Sequence, residues 1–558
     1  MPENGSLRGR RSALFGAILL ATLGSPKVVE AEIGGGGSLW LRDGAGRELL
    51  GDTWSADHLG LRIAIGDWNG DGRDDLALSD FEQDDLLLPG SVHVIYSSAS
   101  GAPLYDEHWE DFDPVLLLPD VEEFDAFGFA LAAGDWNGDG FDDLAIGIPG
   151  EVIGPAADAG MVLVLYGTAE GLAQAGAPLS QRWRIGGGMT AGAASAGDQF
   201  GAALAAGDFD GDGFDDLAVG IPTRDVGVFV DAGSVLALYG GVAGLSGDGH
   251  RFFDQDSAGA DGTMEEAAGP GDRFGEALAA GDFDHDGRDD LAIGAPGEAL
   301  SAGANEGVVQ TLYGFPGPVS RGLRLTGNQV WDEATLAAGG AIEPGDRFGS
   351  TLVAGDLNGD GVDDLVVGAP LEEVAGTVAA GAVTIVCGNA ASGLVSTGAI
   401  YLHENHLAGE AAELENHFGS ALAIGDFVAD DLPLSLDLAV GVSGQWKAMV
   451  PGDHSLPKVG AVSILRVQDL ALPVQAARLT PGVGGVAGEF GANLRFGIGL
   501  GGGDFDGDGH ADLAVGAPGT DDPSHGAEDS GALHLLFGAL FADGFETATT
   551  LRWSATSP

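Results

Sequence analysis

The stretch "GDFDGDGFDDLAVG", Gly207 to Gly220, crowds five aspartates between Asp208 and Asp216 and then turns abruptly apolar. Two like charges about 4 Å apart repel by ~1 kcal/mol in water and by about 4 at an effective dielectric of 20. A counter-charge must offset that cost, or the loop must stay splayed in solvent.

The stretch recurs. "GDWNGDGRDDLALS" begins at Gly66, "GDWNGDGFDDLAIG" at Gly134, "GDFDHDGRDDLAIG" at Gly281, "GDLNGDGVDDLVVG" at Gly355 and "GDFDGDGHADLAVG" at Gly503. A degraded copy, "GDFVADDLPLSLDLAVG", begins at Gly425. First aspartates fall at 67, 135, 208, 282, 356, 426 and 504, so one unit of about 70 residues is copied seven times.

Each unit carries more than the acidic loop. A Phe-Gly segment precedes it, as in "FGAALAAGD" from Phe200; the first unit has "LGLRIAIGD" from Leu59 instead. Gly-Ala-Pro or a variant follows the apolar run, then an alternating segment such as "GSVLALYG". Proline after the run ends a strand. The segment "QRWRI" (Gln181–Ile185) and "RGLRL" (Arg321–Leu325) are weaker candidates for a fourth strand. No long segment has helical period. Four strands per unit, repeated radially, is propeller logic, in which only short edges stay open. Periodicity alone leaves a linear stack possible.

These three motifs together resemble the FG-GAP repeat of integrin α-subunit heads and their secreted bacterial relatives. The resemblance spans roughly residues 33–540 and implies an all-β, seven-bladed β-propeller with calcium-binding hairpin loops. The chain then divides into a signal peptide (1–31), the propeller (32–545) and a tail or closing strand (546–558). The strand "GSLWLRD" (Gly37–Asp43) competes with "TTLRW" (Thr549–Trp553) to close the last blade.

Counting from the first aspartate, acids at positions 1, 3 and 5 can converge on one point, with glycine at 6 for the turn and a backbone carbonyl from 7. Position 12 is apolar, so this is no EF-hand. Position 8 is Ala511 in the last copy, which marks position 9 as the ligand and position 8 as spare. The expected ligands are Asp67, Asn69, Asp71, Arg73 and Asp75; Asp135, Asn137, Asp139, Phe141 and Asp143; Asp208, Asp210, Asp212, Phe214 and Asp216. The later loops supply Asp282, Asp284, Asp286, Arg288 and Asp290; Asp356, Asn358, Asp360, Val362 and Asp364; Asp504, Asp506, Asp508, His510 and Asp512. Oxygen donors without His or Cys side chains at the ligand positions favour calcium, about six structural ions. Solvated acidic turns are the alternative, but they need no fixed spacing. The sixth loop has eleven steps from Asp426 to Asp437 instead of eight and Val428 at position 3, so it should bind no calcium or bind it weakly.

Composition narrows the function. The chain has 558 residues, 98 glycines, 44% hydrophobic residues and a formal charge of −62. That balance excludes disorder and disfavours nucleic acid and anionic membranes. A basic stretch (Arg8, Arg10, Arg11), an apolar run from Ala13 to Leu23 and a cleavage candidate at Val29-Glu30-Ala31 read as an export signal, too short to span a bilayer. Cys387 stands where other units have an aromatic and reads as a core residue. Trp68 and Trp136, at position 2, suit packing on a neighbouring loop or a stacking surface. His403, His406 and His417 lie among Glu404, Glu410, Glu413 and Glu415, without HExxH spacing; a solvated loop is favoured over a metal or catalytic site. The leading expectation is a secreted, monomeric, non-enzymatic module for protein binding or adhesion. The alternatives are a glycan-binding lectin or an extracellular hydrolase or lyase.

Overall fold

The computed structural model describes residues 31–33, 38–42, 59–80, 90–97, 105–110, 125–172, 180–186, 192–300, 305–316, 321–336, 338–407, 409–428, 436–444, 459–467, 473–481, 486, 494–520 and 531–537. The expected signal segment before Ala31, the tail from 546 and "TTLRW" lie outside them.

Each unit is one antiparallel sheet, ordered from the inside outwards. Blade 3 shows the plan: Ala203–Gly207, Asp216–Ile221, Ser234–Tyr239 and Ser246–Phe253, hydrogen-bonded in that order. Gly207 pairs with Asp216, so the acidic loop is the hairpin between the first two strands. The innermost strands are Ile63–Gly66, Ala130–Gly134, Ala203–Gly207, Ala277–Gly281, Thr351–Gly355, Phe418–Gly425 and Leu500–Gly503. Each lies beside the next, and the last lies beside the first, so seven blades close into a ring.

Closure uses the N-terminal segment. The last blade takes its inner strands from Leu500–Gly503, Asp512–Gly516 and Ala532–Leu536, and Ser38–Arg42 adds the fourth, with Ala31–Ile33 beyond it. The fourth strands depart from the sequence expectation: blade 2 keeps only Gln181–Trp183 of Gln181–Ile185, and blade 4 uses Arg324–Trp331 rather than Arg321–Leu325. That strand pairs through Tyr313↔Arg324 and then shifts register before Thr311↔Gln329, a bulge no short apolar pattern announces.

The cores lie between blades. Leu217 and Val219 pack toward blade 2, while Ala218, between them in sequence, packs toward blade 4. A strand buried on both faces reads as a continuous apolar run, which is why "LAVG" shows no alternation. The position-2 side chains Trp68, Trp136, Phe209, Phe283, Leu357, Phe427 and Phe505 are all fully buried in these seams. Trp136 Nε1 also donates to the Asp216 carbonyl of the next blade (3.2 Å). Both tryptophans are therefore packing residues and no stacking surface.

The Phe-Gly and Gly-Ala-Pro motifs meet across each seam. Phe200 is buried, and its N–H donates to the Ala159 carbonyl of blade 2 (3.0 Å). Gly201 follows with φ +91°, a conformation that favours glycine. A Cβ on Gly147, the Gly of blade 2's motif, would sit 2.0 Å from the Gly201 carbonyl oxygen. Leu59 takes the Phe role in the first unit, bridging to Gly531 of the last blade.

Candidate metal centre

Within each hairpin the first aspartate organises the turn. Asp208 Oδ1 accepts the N–H groups of Gly211 (2.8 Å) and Asp212 (3.1 Å), and its Oδ2 accepts that of Gly213 (2.9 Å). Asp67, Asp135, Asp282, Asp356 and Asp504 accept equivalent bonds. Position 9 is the first residue of the second strand, and its carboxylate is buried. Asp143 accepts from Trp136 N–H (3.1 Å) and from Gly167 N–H (2.8 Å), 24 residues downstream. Asp216, Asp290 and Asp364 repeat this pair of bonds. Asp512 accepts from Phe505 N–H, and Asp75 from Ser97 N–H.

Burial pushes Asp75, Asp143 and Asp216 up to about 8, Asp290 up to about 9 and Asp364 up to about 7, and the other acids of each loop add to the rise. Such groups gain most from a nearby cation.

Positions 1, 3 and 9 converge. Oxygens of Asp208, Asp210 and Asp216 lie within 4.8 Å of one another, as do those of Asp282, Asp284 and Asp290, and of Asp504, Asp506 and Asp512. Asp284 Oδ1 is buried there without a hydrogen-bond donor. Where position 3 is asparagine, its amide turns toward position 9: Asn69 Nδ2 lies 3.1 Å from Asp75 Oδ2, and Asn358 Nδ2 3.4 Å from Asp364 Oδ1. Asn137 is buried with its Nδ2 unpaired. The three carboxylate sets fit calcium, which these residues would hold as a clamp on the hairpin; Asn69 and Asn358, whose Oδ1 accepts the N–H of position 5 (2.9 Å in each), would have to turn the amide over to offer an oxygen.

Position 5 stands outside the three clusters. Asp71, Asp139, Asp212, Asp286, Asp360 and Asp508 each accept the N–H of position 7, from Arg73, Phe141, Phe214, Arg288, Val362 and His510 respectively. Arg73 and Arg288 also pair with Asp71 (3.0 Å) and Asp286 (2.7 Å) through their side chains. In the third loop Arg321, from blade 4, binds both Asp210 and Asp212. Sequence reasoning missed this guanidinium, since nothing near residue 321 marks a partner 109 positions away.

Position 8 is no spare. Asp215 Oδ2 accepts the Asp135 N–H of the preceding loop (2.9 Å), while the Asp215 N–H donates to the Asp135 carbonyl (3.2 Å). Asp142, Asp289 and Asp363 make the same reach to Asp67, Asp208 and Asp282. Each staples one blade to the next. Ala511 keeps only the backbone half, to Asp426. In the sixth loop Asp426 instead meets His510 Nδ1 (3.0 Å), Asp437 accepts the Val428 N–H (2.9 Å), and residues 429–435 lie outside the description.

The histidine segment is solvated in part, with Asn405, His406 and Glu413 exposed, and buried at Glu404 and Asn416. It finishes the strand Val395–Leu402 and turns through a short 3-10 helix, Glu404–His406. His403 and His406 stack at 3.9 Å, and burial lowers His403 to about 4. Glu404 is buried against Arg478 (2.8 Å). Cys387 is buried, and burial pushes its thiol up to about 12.

FG-GAP repeats match at residues 127–165, 200–238, 274–312, 348–386 and 496–536, each spanning the inner three strands of a blade. The chain carries FG-GAP repeats. Integrin alpha pat-2 of Caenorhabditis briggsae is 32% identical over 206 residues, covering 34% of this chain and 14% of that protein. Phosphatidylinositol-glycan-specific phospholipase D of Rattus norvegicus is 33% identical over 190 residues, covering 34% and 20%. The match thus spans a fifth or less of either relative. Among solved structures, the rhamnogalacturonan lyase YesW is 14% identical over 92% of this chain and 75% of its own, with a TM-score of 0.40. Among the described residues no helix is long and apolar enough to cross a membrane.

Proposed function

We propose that this FG-GAP propeller is a secreted, calcium-stabilised, non-enzymatic module that docks a protein partner on the face opposite its acidic hairpins. The distribution of exposed apolar side chains supports this reading. Val228 (86% exposed) and Val230 project from the loop between the second and third strands of blade 3, and Leu371 and Val378 from the same loop of blade 5. Leu414 joins them from the connection into blade 6, where the Glu415 N–H donates to the Val378 carbonyl (3.1 Å). These connections all leave the ring at the Gly-Ala-Pro end. Exposed aliphatics gathered on loops of one face suit a protein interface.

The test is capture of binding partners by immobilised protein in calcium. Val228→Asp with Val230→Asp, or Val378→Asp with Leu414→Asp, should abolish capture of a partner that Val242→Asp, on a loop at the hairpin end, still retains. Capture lost only with Val242→Asp would overturn the assignment of the face. A cavity of about 640 Å³ at the ring's axis, lined in part by Arg62, Arg273, Glu276 and Arg347, favours the second reading, a glycan ligand. A glycan array sensitive to Glu276→Gln would move the function there.

A further inference from the structure

One arrangement of three side chains recurs where neighbouring blades join at the Gly-Ala-Pro end. The first lies two residues beyond the fourth strand, the second two residues before the next Phe-Gly, and the third just after the next Gly-Ala-Pro turn. Between blades 3 and 4 these are Gln255, Asp272 and Glu298, and Gln255 Nε2 donates to Glu298 Oε2 (2.7 Å). Between blades 5 and 6 the first two are Glu404 and Asn416, and Glu404 receives donors from Asn416 and from Arg478 of blade 6's fourth strand; the third position lies outside the described residues. In both junctions an amide or a guanidinium balances the acids.

Between blades 4 and 5 all three are acids: Glu333, Asp346 and Glu372. They are 4%, 2% and 2% exposed, and one oxygen of each lies within 4.8 Å of the others. Tyr401 Oη holds Glu372 Oε1 (2.7 Å), and the Glu343 N–H holds Asp346 Oδ2 (2.6 Å). Glu333 Oε1 and Glu372 Oε2 are buried without any donor. Among the described residues no amide or guanidinium balances this junction as Gln255 and Arg478 balance its two neighbours, and unpaired buried carboxylates are costly.

We propose that Glu333, Asp346 and Glu372 form a calcium site between blades 4 and 5, separate from the hairpin loops. An all-carboxylate oxygen set of this kind suits a hard divalent cation. The ion ties the end of blade 4's outer strand, through Glu333, to both motifs that open blade 5. It does for this seam what Gln255 and Arg478 do for the others. The competing solution is protonation, since burial and the neighbouring acids raise all three carboxyls.

Equilibrium dialysis of the full chain against radioactive calcium distinguishes the two. Glu333→Gln copies the natural Gln255 arrangement and should fold; Glu333→Gln with Glu372→Gln removes two ligands. Each variant should bind one ion fewer per chain than the unaltered protein. In chelator Glu333→Gln should melt higher than the unaltered chain, and in saturating calcium it should lose that advantage. Equal ion counts, or a variant more stable by the same margin in both conditions, would overturn the site in favour of a shared proton. Only the difference between chains is read, so failure of the hairpin loops to bind calcium changes both totals alike and leaves this result readable.

Discussion

Asp74 Oδ2 accepts the backbone N–H of Asp504 at 2.8 Å, and the Asp74 N–H donates back to the Asp504 carbonyl at 3.1 Å, across 430 positions of sequence. This is the staple of blade 1 onto blade 7, and it repeats the Asp215–Asp135 bond of an ordinary seam. Asp74→Ala strips a part-buried N–H of its partner. The expected loss is about 1–3 kcal/mol of stability, the cost of an orphaned donor. Urea unfolding should give a lower midpoint, and Asp215→Ala should show a similar drop. An unchanged midpoint in both would deny the position-8 acids a structural role.

A second prediction concerns the seam between the two glycine motifs. With Gly147 against the Gly201 carbonyl, Gly147→Ala forces the two blades apart. The expected cost is about 3 kcal/mol, typical of overpacking in a rigid core. Gly241→Ala is the control, since a Cβ there meets nothing within 4 Å. Thermal unfolding should separate the two variants clearly; equal melting would mean the seam yields more easily than its packing suggests.

The copied register of Phe-Gly, acids and Gly-Ala-Pro made the strands and hairpins of each unit legible, while closure into a propeller was legible only through the FG-GAP resemblance that those motifs carry. Position 8 was misread for a physical reason. Its partner is a backbone N–H in another blade, and backbone groups leave no mark on sequence. The same holds for Arg321, which reaches the third loop from a neighbouring blade. The closing strand was ambiguous because "GSLWLRD" and "TTLRW" have the same strand character, and only pairing with Ala532–Leu536 decides between them. The Glu333, Asp346 and Glu372 cluster was invisible because its members come from three separate elements.

The closing blade also carries a pH dependence. His534 lies on its third strand, fully buried and edge-on to Phe496 at 5.1 Å. Burial lowers its pKa to about 3. The folded chain therefore refuses a proton that the unfolded chain takes up below about pH 6.5. Stability from this group is intact above about pH 6.5 and falls as the pH drops toward 3. Between pH 6.5 and 5 the loss is about 2 kcal/mol, at 1.36 kcal/mol per pH unit. The raised carboxyls of the hairpins act in the opposite sense in both chains, so the effect is read as a difference: between pH 6.5 and 5 the unaltered chain should lose stability in urea unfolding relative to His534→Phe. Identical slopes would place the acid sensitivity elsewhere.

Calcium removal is the decisive trial of the hairpins, and Arg321 makes it specific. A ligand that binds only the native state stabilises it by about 2.7 kcal/mol at a hundred times its dissociation constant. Chelator should therefore lower the melting temperature, and Asp290→Asn should lower the calcium-bound melting further by weakening the fourth loop. The third loop should respond differently, because Arg321 already neutralises Asp210 and Asp212. A cation entering there must displace the guanidinium or share its acids. Arg321→Gln should accordingly weaken the chelated protein, whose acids lose their counter-charge, and tighten calcium binding by one site. Isothermal titration against the unaltered chain reads this as a gain in affinity without loss of stoichiometry. Weaker binding in Arg321→Gln would mean that the arginine shapes the third loop for the ion instead of competing with it.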